Sequence, residues 1–215
     1  MNDAIANPPS DRTRVRRVAE LARYDRATLH AIIDAAYMCH VAFSDDKGTH
    51  CIPTACWRQH EHLYIHGSNG GRLIKLLQKG VQACVAITHL DGLVLARSAF
   101  NHSMNYRSAM VYGCFEAVED KDGALAIFMD RIAVGRQAEI RTGSVKEFAA
   151  TTVMRITLDE AACKVRSGPP VDDEADLQHP AWTGVLPLVL QAAPPVVDPL
   201  CIVAAPGYVQ NWGAR

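Results

Sequence analysis

The residues best placed to do chemistry gather in one stretch, LYIHGSNGGRLIKLL, from Leu63 to Leu77. A short apolar run, Leu63 to Ile65, stops at His66-Gly67. A tight Ser68-Asn69-Gly70-Gly71 turn follows, and then Leu73, Leu76 and Leu77 recur at the spacing of one buried helical stripe. Ser68 is the predicted N-cap. Arg72 falls in or beside the first turn, with Lys75 and Lys79 on roughly its face. Free amides and a partial positive charge at a helix start, with an arginine beside them, form a seat for a phosphate. Gly70 and Gly71 let main chain approach such a ligand closely. An ordinary strand–turn–helix gives the same pattern, so the surrounding chain decides.

Other groups are less selective. His66 is suited to proton transfer near neutral pH. His60 and His62 alternate onto one face, yet no third ligand stands at metal-binding spacing, which argues against zinc. Histidines at 40, 50, 66, 89 and 102 leave a haem axial ligand open, and no spacing selects one. Arg12, Arg14, Arg16 and Arg17 read as a solvated basic arm or, more sharply, as a lid over an anion. Asp172-Asp173-Glu174 reads as a solvated acidic loop. The chain has no G-x-G-x-x-G dinucleotide fingerprint, no G-x-S-x-G elbow and no P-loop.

At 215 residues the chain is long enough for a sizeable core. A net charge of −1 and a pI near 6.7 argue against a general nucleic-acid or membrane-surface binder. Seven cysteines, with no C-x-x-C pair and several in apolar runs, favour free thiols in a reducing cytoplasm. No run approaches the length of a membrane-spanning helix, and the first residues lack the apolar core of a leader.

The elements that must position these groups can be taken in order. Residues 1–13 form an expected mobile tail. Asp25 caps a helix to about Tyr37 with Leu29, Ile32, Ile33 and Ala36 on one face. Cys39–Phe43, His50–Trp57 and the run to Ile65 read as a closely spaced antiparallel meander. Val81–Thr88 follows as a strand, Asp91-Gly92 as a turn, and Leu93–Ala99 as another strand. A long strand runs from Tyr106 to Val118, interrupted at Gly113. A helix over Asp122–Val134 is expected to bury Leu125, Phe128, Met129 and Ile132. Thr151–Leu158 and Ala161–Ser167 complete about seven strands with three helices. Lacking βαβ alternation, this pattern predicts an antiparallel barrel with helices outside. From Gly168 the chain turns proline-rich, and 189–215 reads as an extended arm around a partner subunit or as disorder.

With IPTACW, LYIHGS, GGR and SMNYRSAMVYG in this order, the chain resembles the FMN-binding split-barrel superfamily typified by pyridoxamine 5′-phosphate oxidase. It is similar in particular to the branch of nitroimidazole-resistance and flavin-nucleotide-binding proteins. The most distinctive segments are HLDGLVLARSAFNHSMNYRS and KVRSGPPVDD, and the similarity spans about residues 14–188. The resemblance implies a mainly β fold with flanking helices, a six-stranded antiparallel split β-barrel. It also implies a homodimer with FMN at the interface. Carried over residue by residue, it places Arg72 on the FMN phosphate with Ser68, Gly71 and the Gly70 main chain beside it. The Ser-Arg-Lys of the oxidases reads Gly71-Arg72-Leu73 here, and Lys75 or the N-terminal arginines are expected to compensate for the missing cation and hydroxyl. Pro53 and Thr54 run along the flavin ring, His66 and Gly67 lie over it, and Tyr106, Arg107 and Ser108 face phosphate and ring. His66 is then the candidate catalytic group. The implied activity is FMN-dependent reduction of small electron-poor substrates, nitroaromatic or quinone-like, with a nicotinamide donor, if one is used, binding transiently across the ring. A flavin- or haem-binding protein that stores or senses is the alternative. Pyridoxamine-phosphate oxidation itself is not expected, because the C-terminal arginine segment of the oxidases has no match in residues 199–215.

Overall fold

The computed structural model describes residues 7–213. After a two-residue strand β1 (Ala22–Arg23), helix α1 (Arg26–Asp34) starts at Asp25, whose carboxylate accepts a hydrogen bond from the Thr28 amide at 2.7 Å. Such a cap is worth about 1 kcal/mol. Leu29, Ile32 and Ile33 are its buried face, as their spacing predicts. Strands β2 (Met38–Asp45), β3 (Gly48–Gln59) and β4 (His62–Ser68) form the expected meander. Short helix α2 (Arg72–Leu77) leads to β5 (Gln82–Leu95), β6 (Ser103–Cys114) and β7 (Glu116–Ala117). Helices α3 (Lys121–Ile132) and α4 (Val145–Ala150) precede the consecutive strands β8 (Thr151–Thr157) and β9 (Ala161–Arg166), which pair with other strands and not with each other. Strand β10 (Gly184–Pro187) and helix α5 (Gly207–Gln210) close the chain.

All strand pairings are antiparallel, in the order β1-β9-β6-β5-β2-β3-β4-β8-β7, with β10 added to β5. This is a mostly antiparallel β fold with a few flanking helices, the split-barrel form expected. Seven of the strands have six or more residues, and alternation sorts them. Cys39, Val41, Phe43, Val85, Ile87, Ala109 and Val111 point inward with α1 and α2 residues into one core. A second, smaller cluster lies outside the barrel wall, where Trp57, Tyr64, Val153 and Ala124 pack beneath α3.

Several local expectations are corrected. Asp91-Gly92 is not a turn between two strands. It is a bulge within β5, where the register against β6 shifts between Leu90 and Gly92. Gly92 is needed there because an added Cβ would lie 3.0 Å from the Leu186 carbonyl oxygen of β10. Gly113 does adopt a positive φ, +148°, consistent with the break expected there. In α3 only Ala124 is fully buried, while Ile132 is exposed. That helix lies on the outer wall and buries only one edge. Of the expected N-terminal tail, residues 1–6 lie outside the described residues. The remainder is docked: Thr13 is buried, Ser10 Oγ donates to Glu160 at 2.6 Å, and Arg12 bonds the same carboxylate. Arg12 is therefore held over Tyr112 and paired with the Glu160 carboxylate of its own chain. Among the described residues no helix is long and apolar enough to cross a membrane.

Candidate functional site

Strands β3 and β4 pair from Gln59/His62 to Cys56/Ile65 and then part. Continued in register, Thr54 would face Gly67 and Pro53 would face Ser68, but neither pair forms. Thr54 and Pro53 pair instead with Cys39 and His40 of β2, and Gly67 and Ser68 with Thr152 and Thr151 of β8. Four of the expected residues thus line the two lips of one split, with the turn into α2 at its end.

That turn differs from expectation. Ser68 is not the N-cap. Its hydroxyl accepts from the Gly70 amide at 3.3 Å, and Gly71 caps α2 without a side-chain bond. The Gly71 amide is itself spent on the Ser68 carbonyl at 2.9 Å. The helix has only six residues, because Lys79-Gly80 ends it, so its start contributes less than a full helix terminus. Charge at this point comes mainly from side chains. Arg72 is exposed, and Lys75 stands one turn on, also exposed, with no acidic partner among the described residues.

Sequence reasoning missed what holds Arg72. His50 lies between Asp45 and Arg72, with Nε2 2.8 Å from Asp45 Oδ1 and Nδ1 3.3 Å from Arg72 Nη1. A guanidinium only donates, so Nδ1 accepts and the ring proton on Nε2 goes to Asp45. The His50 hydrogen bond, helped by the Lys47 amide, holds the Asp45 carboxyl below its ordinary value. The spacing Asp45-x₄-His50 sits across a hairpin, and only the strand pairing brings it to Arg72.

His66 occupies the other face of β4. Its ring lies 4.9 Å from Phe128 and 6.0 Å from Trp57, beneath α3, while its neighbour Gly67 faces Ile74 of α2. Burial lowers its pKa, so the imidazole is neutral. Its Nδ1 is buried without a hydrogen-bond partner. The other histidines considered as haem ligands are differently placed. His50 is engaged through both nitrogens, His89 donates to the Ile32 carbonyl at 3.0 Å, and His102 bonds the Ser98 carbonyl at 2.9 Å. His40 is exposed on the outer sheet face.

The last three expected residues do not join this group within one chain. Tyr106, Arg107 and Ser108 lie on β6, separated from β3 by β5 and β2. Arg107 makes a two-pronged ion pair with Asp91, at 2.9 and 2.8 Å, so its charge is already answered. Ser108 Oγ donates to the Lys164 carbonyl at 3.3 Å. Asp91 was missed because a turn aspartate and a bulge aspartate look alike in sequence. The acidic run was misread in part too. Asp172 is not solvated; its side chain is 3% exposed and bonds Arg97 through the side chain at 2.7 Å and the amide at 2.8 Å. This ties the KVRSGPPVDD segment to the end of β5. Among the described residues no group of three or more His, Cys, Asp or Glu could hold a metal ion.

Comparison with known proteins gives these features a context. The pyridoxamine 5′-phosphate oxidase family profile matches residues 25–165. No curated protein sequence matches the chain. Among solved structures, the flavocytochrome Anf3 from Azotobacter vinelandii is 40% identical with a TM-score of 0.92, covering 96% of this chain and 99% of its own. An FAD- and haem-binding protein from Mycobacterium smegmatis is 34% identical with a TM-score of 0.85, covering 90% and 97%. A candidate 5-nitroimidazole antibiotic resistance protein from Bacteroides thetaiotaomicron is 25% identical with a TM-score of 0.55, covering 67% and 86%. Matched over most of its barrel by the family profile, and over nearly its whole length by a structure 40% identical, the chain belongs to the pyridoxamine 5′-phosphate oxidase family.

Proposed function

We propose that the chain is a flavin- and haem-binding redox protein, with its flavin held between two copies of the chain. One observation carries the reading. The split between β3 and β4, flanked by the cations Arg72 and Lys75, adjoins His66, a half-buried neutral imidazole with an unpaired ring nitrogen. Flavin supplies two-electron and one-electron transfer, and haem supplies one-electron transfer. The chain's residues bind and orient. Arg72, steadied by His50 and Asp45, and Lys75 supply positive charge for the flavin's phosphate end. Unpaired strand edges at Pro53, Thr54, Gly67 and Ser68 offer main-chain groups toward the ring. His66 fits a haem better than a proton relay: ligation needs a neutral imidazole with a free nitrogen, and Trp57 and Phe128 give it apolar walls. FAD is preferred to the FMN expected from sequence, because the Mycobacterium smegmatis relative binds FAD and haem and because two cations suit a pyrophosphate. In this reading Tyr106, Arg107 and Ser108 approach the ring from the second copy, and a nicotinamide donor binds only transiently.

A second reading is a flavin-dependent reductase of small electron-poor substrates, nitroaromatic or quinone-like, working without haem. The likeness to the Bacteroides protein favours it. The visible spectrum of the protein as purified separates the two. Flavin bands with a Soret band support the first reading, flavin bands alone support the second, and a protein that takes up neither group overturns both. Mass analysis of the released flavin distinguishes FAD from FMN. Loss of a charge-assisted hydrogen bond costs about 1.5–3 kcal/mol, so Arg72→Ala is expected to raise the flavin Kd roughly 10- to 150-fold. An unchanged Kd removes Arg72 from the phosphate end.

A further inference from the structure

The chain carries two apolar surfaces that it does not cover itself. One is the C-terminal arm after β10. Val189, Leu190, Val196, Leu200, Ile202 and Val203 are 73–98% exposed, and Val197 is 70% exposed. No residue from 188 to 213 is buried. The arm is tied to its own chain at its far end, where Tyr208 accepts from Arg136 and donates to Glu139, and before that point it leaves a cavity of 640 Å³ between Leu190 and Val196 on one side and Tyr37, Arg131 and Ile132 on the other. The other surface is the outer face of the β2–β3–β5–β6 sheet. There the alternate residues pointing away from the core include Met38, Leu90 and Met110, 56%, 44% and 37% exposed, with Pro53 and Ala86 between them. His40 and Thr88 interrupt the sheet face, but monomeric proteins seldom leave as many exposed apolar side chains together as the arm does.

We propose that each surface is the other's partner: the arm of one copy lies across the outer sheet face of a second copy, reciprocally. This deepens the two-copy reading above and rests on it. The area is adequate. Fully burying one aliphatic side chain removes roughly 60–120 Å² from water. Seven in each of two arms then supply roughly 800–1,700 Å² of arm surface alone, against about 1,600 Å² for a stable interface. Continuity also favours it. The arm leaves the barrel through β10, which pairs with β5 at Gly92–Leu95, so its root is at the edge of the apolar face. Two-fold symmetry lets one contact be made twice. In this arrangement the arm stands beside Pro53 and closes the flavin split from the opposite copy.

The test uses the full-length chain. Equal amounts of ¹⁴N- and ¹⁵N-labelled protein are mixed, equilibrated and joined by a short bis-maleimide through the exposed Cys201 of the arm and the exposed Cys51 of the sheet face. Arm exchange predicts that about half of the Cys201–Cys51 products pair light with heavy chain. Products of a single isotope overturn it. A parallel measurement uses Leu190→Asp with Ile202→Asp, at positions so exposed that a lone chain tolerates the change. Because each substitution counts twice in a symmetric pair, the dimer Kd is expected to rise at least about a hundredfold, with circular dichroism unchanged. A dimer of unaltered affinity refutes arm exchange and leaves the two-copy reading standing. A wild-type chain that sediments as a monomer at micromolar concentration, with the arm free or on another protein, refutes both.

Discussion

Gly67→Ala is the substitution that best separates two explanations of the same glycine. The family resemblance places Gly67 over the flavin ring, where a larger residue would crowd the ligand. In the structure its missing Cβ serves the protein: a methyl there would lie 2.9 Å from Ile74 Cγ1 and 3.3 Å from Cδ1. Ile74 is 1% exposed and β-branched, so its χ1 has little freedom to yield. Overpacking of this kind costs about 1–3 kcal/mol. For a chain of this size each kcal/mol lowers Tm by about 2–4 °C, so Gly67→Ala is expected to lose roughly 2–12 °C. The decisive measurement is a double-mutant cycle with Ile74→Ala, followed by urea unfolding at fixed protein concentration. Ile74→Ala alone costs about 2–5 kcal/mol through its cavity. In the double variant the methyl added by Gly67→Ala enters that cavity, so the pair should be more stable than the sum of the two losses by about 1–3 kcal/mol. Losses that add within about 0.5 kcal/mol, together with weaker flavin binding in Gly67→Ala, would refute the packing account and return the glycine to the ligand.

Two predictions concern pH. Arg107 hydrogen bonds hold the Asp91 carboxyl below its ordinary 3.8, so the pair contributes stability that is present above that value and lost as pH falls through the lower folded-state value. Asp91→Asn should flatten the acid limb of the unfolding profile below about pH 4; an unchanged limb removes the pair from the balance. His66 is held neutral by burial, below its ordinary 6.5. Its contribution is therefore full above 6.5 and declines as pH falls from there through the folded-state value. His66→Phe should remove that decline and, on the haem reading, abolish the Soret band while leaving the flavin bands. A Soret band that survives the substitution assigns the haem to another ligand.

Much of the fold was legible because its signals are local. Asp25 ahead of the Leu29-Ile32-Ile33 stripe located α1, and short apolar runs between turn signals located β2, β3, β4, β8 and β9. What escaped was set by contacts remote in sequence. Asp91-Gly92 carries a turn signal, yet β6 and β10 flank it and convert it into a bulge. Ser68 has the right chemistry for a cap, but the helix starts only at Arg72, and the Ser68 hydroxyl and carbonyl are taken by the Gly70 and Gly71 amides of the turn before it. Helix α4 was overlooked although Ser144 and Glu147 form a complete capping box; it has six residues and no apolar stripe to announce it. At the site, the types and spacing of Arg72 and its glycine turn were readable. The Asp45–His50 support was not, since a hairpin register is needed to bring it there.

The same logic bears on why the site looks divided. Within one chain Arg72 and Lys75 stand at the split between β3 and β4, whereas Arg107 stands three strands away and is neutralised by Asp91. A ring held only by the split would leave one face to water, where oxygen and solvent compete for its electrons. The arm proposed to cover that face is rich in exposed apolar side chains and is rooted at β5. The proposed two-fold pairing answers both needs at once: in it, β6 of one copy approaches the split of the other and the arm crosses that split. On this account cofactor binding and association are linked. Flavin should tighten the dimer by the same factor by which dimerisation tightens flavin, and sedimentation at equal protein concentration with and without added flavin measures that factor directly. A ratio of one would mean that each chain holds its flavin alone.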